Sequence, residues 1–170
     1  MILLTTARRA ARIGQDGASL PPASQDRRLW DDSKIEEGRA ILTQAMQRHK
    51  PGPFQIKAAI ADCQMAEPAP DWPQIALLYQ SLLRHEPTPV VTLNAAVAAA
   101  EAGETEKALL VVEGLAEHLS DYQPWHAARA ALLAKTGNKV AAMAAYQTAI
   151  SSAPSPADAL FLQHKLDALC

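Results

Sequence analysis

Two stretches of this chain carry the same order of apolar, small and polar positions. The first, AAVAAAEAGETEKALLVVEGL, surrounds Gly103, and the second, ARAALLAKTGNKVAAMAAYQTAI, surrounds Gly137. With Gly103 laid on Gly137 the flanks superimpose: Ala96 falls on Ala130, Ala108 on Ala142, Val112 on Tyr146. In each, an apolar stripe at helical spacing ends at the glycine and resumes after a few polar residues, which predicts helix, turn, helix. Glycine suits the turn because it adopts left-handed backbone angles at little steric cost.

A helical hairpin repeating at the interval from Gly103 to Gly137 has the period of a tetratricopeptide (TPR) repeat, ~34 residues. Small positions let the two helices cross closely, and large ones fill the groove between them. Ala130, Gly137, Ala142, Tyr146, Ala149 and Pro154 stand where that repeat expects small, Gly, Ala, aromatic, Ala, Pro. Counting back the same interval from Gly103 reaches Ala69, among Pro68, Pro70 and Pro73, so an earlier, degenerate unit is expected. Its helices should run from Phe54 to Glu67 and from Pro73 to Arg84. Pro53, Pro89 and Pro124 suit first-turn positions. Three units follow, 53–87, 88–121 and 122–154. Residues 155–170 form a capping helix opened by Ser155, Pro156 and Asp158.

Residues 1–52 should pack on these repeats. Met1 to Arg12 reads as a helix with Leu3, Leu4, Ala7, Ala10 and Ala11 inward, uncapped and abrupt, as if a longer helix had been cut. A Gly-, Pro- and Ser-rich loop follows from Ile13 to Ser24. Asp31, Asp32 or Ser33 then caps a helix that ends near His49. No segment alternates with period two. The prediction is an all-α fold: TPR-like hairpins in a right-handed superhelical array, with extra N-terminal helices and a C-terminal cap.

Half of the residues are apolar and aromatics are few, which suits closely packed helices. No apolar run reaches the roughly 18 residues of a membrane span. MILLTT lacks the basic leader of a signal peptide. Cys63 and Cys170 lack metal-ligand spacing, so a reduced, cytoplasmic protein is expected. Net charge is −2, which gives no global case for nucleic acid. The chain up to Trp30 nevertheless carries Arg8, Arg9, Arg12, Arg27 and Arg28 against Asp16 and Asp26. Two readings stay open for Arg8, Arg9 and Arg12. They contact nucleic acid or an acidic protein surface, or they pair with Asp26, Asp31 or Asp32 and tie the loop to the helix.

Sites of chemistry do not stand out. The five histidines are dispersed and the seven glycines are scattered, which suggests turns; no phosphate loop, nucleophile elbow or metal cluster is recognisable. No enzyme activity, cofactor or metal is expected. In a TPR array the first helices line a concave face, here with Ile56, Ala59, Cys63, Val90, Leu93, Asn94, Val97, Ala127, Arg129, Ala131 and Ala134. That face is apolar, with little beyond Asn94, Arg129 and Lys135 to hold a peptide carboxylate. It must be covered by the chain's own N-terminal helices or by a protein partner. Asn94 should be buried with hydrogen-bond partners. Trp125 and His126 are either ligand anchors or core at a helix start.

LLTTARRAAR, QDRRLWD, IEEGRAILTQAM, PGPFQIKAAIA, DWPQIALLYQSLL, PTPVVTLNAAVAAAE and WHAARAALLAKTGN follow one another in order over nearly the whole chain. This series resembles the C-terminal extension of extracytoplasmic-function (ECF) sigma factors of the group that carries TPR repeats. One departure is Ala95, where the family favours Arg after Asn94. The resemblance implies a parent that binds core RNA polymerase and recognises promoter DNA through sigma regions two and four, upstream of Met1. The extension would regulate or support sigma activity, without binding promoter DNA itself, without a membrane and without catalysis. Two rivals remain: a free-standing TPR adaptor taking a partner helix in its apolar groove, and a small helical enzyme.

Overall fold

The computed structural model describes residues 1–47 and 50–169 and is all-α. Its helices are α1 (Ile2–Thr6), α2 (Asp32–Met46), α3 (Pro53–Cys63), α4 (Trp72–Leu83), α5 (Pro89–Glu101), α6 (Thr105–Glu113), α7 (Ala116–Leu119), α8 (Gln123–Lys135), α9 (Lys139–Ser151) and α10 (Pro156–Asp167). Among the described residues no strand forms; Ile13 and Ser19 make one isolated antiparallel bridge.

From α3 onward each long helix packs on its neighbours in the chain. The turns after α5 and α8 contain Gly103 at φ 107° and Gly137 at φ 82°, both left-handed, as the two glycine positions predict. The residues aligned at the repeat spacing are all buried: Ala96 with Ala130, Ala108 with Ala142, Val112 with Tyr146. Proline stands in the first turn of α3, α4, α5, α8 and α10, where its missing N–H costs no intrahelical bond. Thr88, Asn138 and Ser155 cap α5, α9 and α10 through their side chains.

Several boundaries differ from the sequence expectation. The first helix does not reach Arg12. It ends at Thr6, and a 3-10 turn spans Arg9–Ala11. The hydroxyls of Thr5 and Thr6 fold back onto the carbonyls of Ile2 and Leu3, and the Ala7 carbonyl accepts the N–H of Asp31 instead of continuing a helical ladder. Ala10 is exposed as a result. α3 stops at Cys63, short of Glu67, because the Cys63 carbonyl accepts from Ala66 and from Asp71, which folds the chain into the proline-rich connection. Of the three proposed caps of α2, Asp31 holds the place, accepting the N–H of Lys34. The expected end near His49 lies outside the described residues, as does Cys170. α6 ends at Glu113 and the separate turn α7 follows.

α3 and the turn after it serve two cores at once. Ile56 and Ile60 join Ile75, Leu82, Val91 and Ala98, while Ala61 and Met65 join Leu4, Ala7, Ala11, Trp30 and Ile35 of the N-terminal segment. The helices of residues 1–47 therefore stack on the side of α3 that α4 leaves open.

Candidate protein-interaction site

The expected concave-face residues divide sharply by burial. Ile56 and Leu93 are 2% and 1% exposed, so they fill the seams between helices rather than an open face. On α5, Leu93 sits one position away from a residue that does face out, since a helix rotates about 100° per residue. Val90 and Asn94, four residues apart, share one exposed face, with Val97 partly buried further along. Asn94 is thus exposed, contrary to the expectation of a buried amide. Ala59, Cys63, Ala127, Ala131 and Ala134 are half-buried.

Val90 and Asn94 form one wall of a cleft of about 380 Å³ between α3, α4 and α5. Ile60, Leu82 and Val91 supply its apolar floor, with Tyr79 and Thr88 beside them. At its edge the Lys57 ammonium pairs with the Glu86 carboxylate at 2.7 Å. Burial pushes the Tyr79 phenol above its usual pKa. Neither Tyr79 nor Lys57 stands out in the sequence.

Trp125, His126 and Arg129 do come together, around the start of α8. Trp125 is buried, and its indole Nε1 donates to the Val112 carbonyl at 2.7 Å. The His126 ring meets it edge-on at 4.8 Å, while His126 Nε2 lies 2.7 Å from the Ser120 carbonyl. The Arg129 guanidinium lies 5.9 Å from the Trp125 ring and pairs with Glu113 at 2.9 Å. These side chains knit α8 to the end of α6. Trp125 is core at a helix start and not an open anchor.

Arg8, Arg9 and Arg12 do not pair with Asp26, Asp31 or Asp32 as expected. Asp26 accepts from Arg28 at 2.8 Å and Asp31 from Lys34; these hydrogen bonds hold both carboxyls below their ordinary pKa. Arg8 is buried and reaches Gln64 Oε1 at 3.3 Å. Burial, then the nearby Arg12 charge, lowers its pKa. Arg12 donates to the Thr5 carbonyl at 2.8 Å, and Arg9 lies exposed. Arg27 does tie the loop down, but to the connection after α3: it donates to the carbonyls of Met65 and Ala66 and pairs with Glu67 at 3.1 Å. Carbonyls are invisible to a charge-pairing argument, which explains the miss. Trp30 was missed too. Its ring lies 4.9 Å from the Arg27 guanidinium and 6.0 Å from that of Arg8, a cation–π arrangement whose sequence sign is the Arg–x–x–Trp spacing in QDRRLWD.

Among the described residues, no three His, Cys, Asp or Glu side chains converge as a metal site, and no helix is long and apolar enough to cross a membrane.

Comparison with known proteins adds the following. Residues 1–46 are similar to a family of unknown function (DUF6596). Over 172 aligned residues, 99% of this chain, it is 41% identical to an uncharacterized protein of Rhizobium meliloti (strain 1021). The chain spans 41% of that relative's length. No solved structure matches.

Proposed function

We propose that this chain is a C-terminal regulatory, protein-interaction module of an ECF-type RNA polymerase sigma factor. The observation that carries the reading is the ordered series of phrases from LLTTARRAAR to WHAARAALLAKTGN, which fits that extension from end to end. The length of the Rhizobium meliloti relative supports it, since more than half of that protein lies outside the match. In this reading the parent acts in the cytoplasm, and its sigma regions two and four contact core polymerase and promoter DNA. The module itself binds protein, neither touching promoter DNA nor performing catalysis.

Its architecture is three TPR-like units, 53–87, 88–121 and 122–154, in a right-handed superhelical array capped by residues 155–170. The buried small positions at the repeat spacing and the left-handed Gly103 and Gly137 support this. Transcription from the parent's promoter, measured with full-length protein and with protein lacking this module at equal abundance, tests the function. A change in output is expected; equal output would refute it.

A second reading has its own observation. The cleft floored by Ile60, Leu82 and Val91 is apolar with a polar rim, as a groove for one face of a partner helix would be, and suits a free-standing TPR adaptor. A stop codon in frame just before the Met1 codon would favour it.

A further inference from the structure

The loop between α1 and α2 reaches the opposite end of the chain. Ser19 donates its backbone N–H to the Ala157 carbonyl at 3.0 Å and its hydroxyl to Asp158 Oδ1 at 2.7 Å. Beside it Asp16 lies 3.8 Å from His164 Nδ1. The partners Ala157, Asp158 and His164 all belong to α10, and 139 residues separate Ser19 from Asp158.

The tip that makes these contacts is preformed. Gly14 donates to the Ala18 carbonyl at 2.8 Å, Gly17 turns back to Gly14 with φ 87°, and Asp16 Oδ1 accepts the N–H of Ala18. Its base is anchored elsewhere. Leu20 donates to the Arg12 carbonyl, Asp31 donates to that of Ala7, and Arg27 grips Met65 and Ala66 after α3. Trp30 is buried with Leu4, Ala61 and Met65.

These two attachments differ in strength. The base combines a buried aromatic, apolar packing and several hydrogen bonds. The tip holds α10 through two hydrogen bonds from one serine and a 3.8 Å approach between the half-exposed side chains of Asp16 and His164, contacts worth little. Segments held by few contacts open locally while the rest of the fold stays intact. We propose that residues 13–20 are a releasable latch, which joins the N-terminal segment to α10 and limits how far the helices between them can part. Resting on the protein-binding role argued above, the latch regulates it: closed, it restrains α3 through α10; released from α10, it lets a partner helix enter. Asp158 suits such a contact because its second oxygen accepts the Ser155 hydroxyl at 2.6 Å while Ser155 caps α10, so the acceptor is fixed in place.

Amide hydrogen exchange on this chain tests the latch without reference to transcription, comparing wild type with Ser19→Ala/Asp158→Ala. Alanine at 158 keeps the backbone N–H that Ser155 Oγ accepts, so α10 keeps that cap bond and loses only the Ser155 hydroxyl's bond to the carboxylate. The Ser19 amide is expected to exchange at least about tenfold faster in the double variant, while those of Leu20, Asp31 and the centres of α5 and α8 change by less than about twofold. The radius of gyration from small-angle scattering should rise beyond its error. Unchanged exchange at Ser19 would show that α10 does not hold the tip. Parallel acceleration at Asp31, α5 and α8 would make the contact an ordinary part of the global fold, and an unchanged radius of gyration would remove the restraint. Each of these overturns the proposal and leaves the sigma-factor reading standing.

Discussion

Glu101 at the end of α5 and Lys135 at the end of α8 pair at 2.5 Å, and 34 residues separate them. Each ends the helix that precedes a left-handed glycine turn, Gly103 or Gly137, so opposite charges meet at the ends of α5 and α8. Both side chains are more than a third exposed, which limits the pair to the range of surface ion pairs, roughly 0.2–1 kcal/mol. Lys135→Glu should cost more than Lys135→Ala, because it sets two carboxylates face to face. Adding Glu101→Lys to Lys135→Glu should recover most of the loss. Urea unfolding of the four proteins checks this, and no recovery in the swapped pair would show that the two residues do not interact across the units.

The Trp125–Val112 hydrogen bond makes a stronger claim. Trp125→Phe keeps most of the apolar volume but removes the indole's bond to the Val112 carbonyl, which still accepts the N–H of Leu115, so a loss of about 0.5–1.5 kcal/mol is expected. Trp125→Ala opens a cavity against Leu115 and Leu119 of the same core and should cost about 3–5 kcal/mol. If the indole were instead a ligand anchor, both variants would unfold like the wild type.

Three glycines separate conformational from steric causes. At Gly103 and Gly137 a Cβ would meet nothing within 4 Å, so alanine there carries only the left-handed backbone penalty, about 1–2 kcal/mol. Asparagine should cost less than alanine at both. At Gly38, inside α2, a Cβ would lie 2.8 Å from a Leu4 methyl and 3.0 Å from Leu4 Cγ. Gly38→Ala gains about 1 kcal/mol of helix propensity, yet it should still destabilise, because Leu4 is fully buried and has little room to yield. Adding Leu4→Val should reduce that loss, as judged from melting curves.

What sequence made legible follows from which forces are local. The hairpins around Gly103 and Gly137 were readable because apolar spacing, a left-handed glycine and first-turn prolines all act within a few residues. Burial on α5 was not. Leu93 and Asn94 are neighbours, and which of them faces the seam depends on where α4 and α6 sit. The N-terminal segment was the least legible. Arg8, Arg12 and Arg27 take a side-chain amide and backbone carbonyls as partners, and charge counting sees only the carboxylates. The reach of Ser19 to Asp158 has no signature in spacing at all, since it joins ends of the chain that meet only after every helix between them has packed.

Cys63 offers a prediction in pH. Burial raises its thiol pKa, and the Asp62 and Asp71 carboxylates raise it further. The folded protein therefore keeps the proton at pH values where an unfolded thiol, with a pKa of about 8.5, has begun to lose it. Its contribution to stability is fully present below that unfolded value and is lost as pH rises through the higher folded value. Alkylation of Cys63, followed in a Cys170→Ser background, should be slow near pH 8 and show a pH midpoint above that of a small-molecule thiol. Asp71→Asn keeps a residue able to cap α4, where Asp71 now accepts the N–H of Gln74, and removes one of the two charges. It should move the midpoint down without lowering the melting temperature. A midpoint that stays put would leave burial and Asp62 as the causes, and one at the free-thiol value would place Cys63 in open solvent.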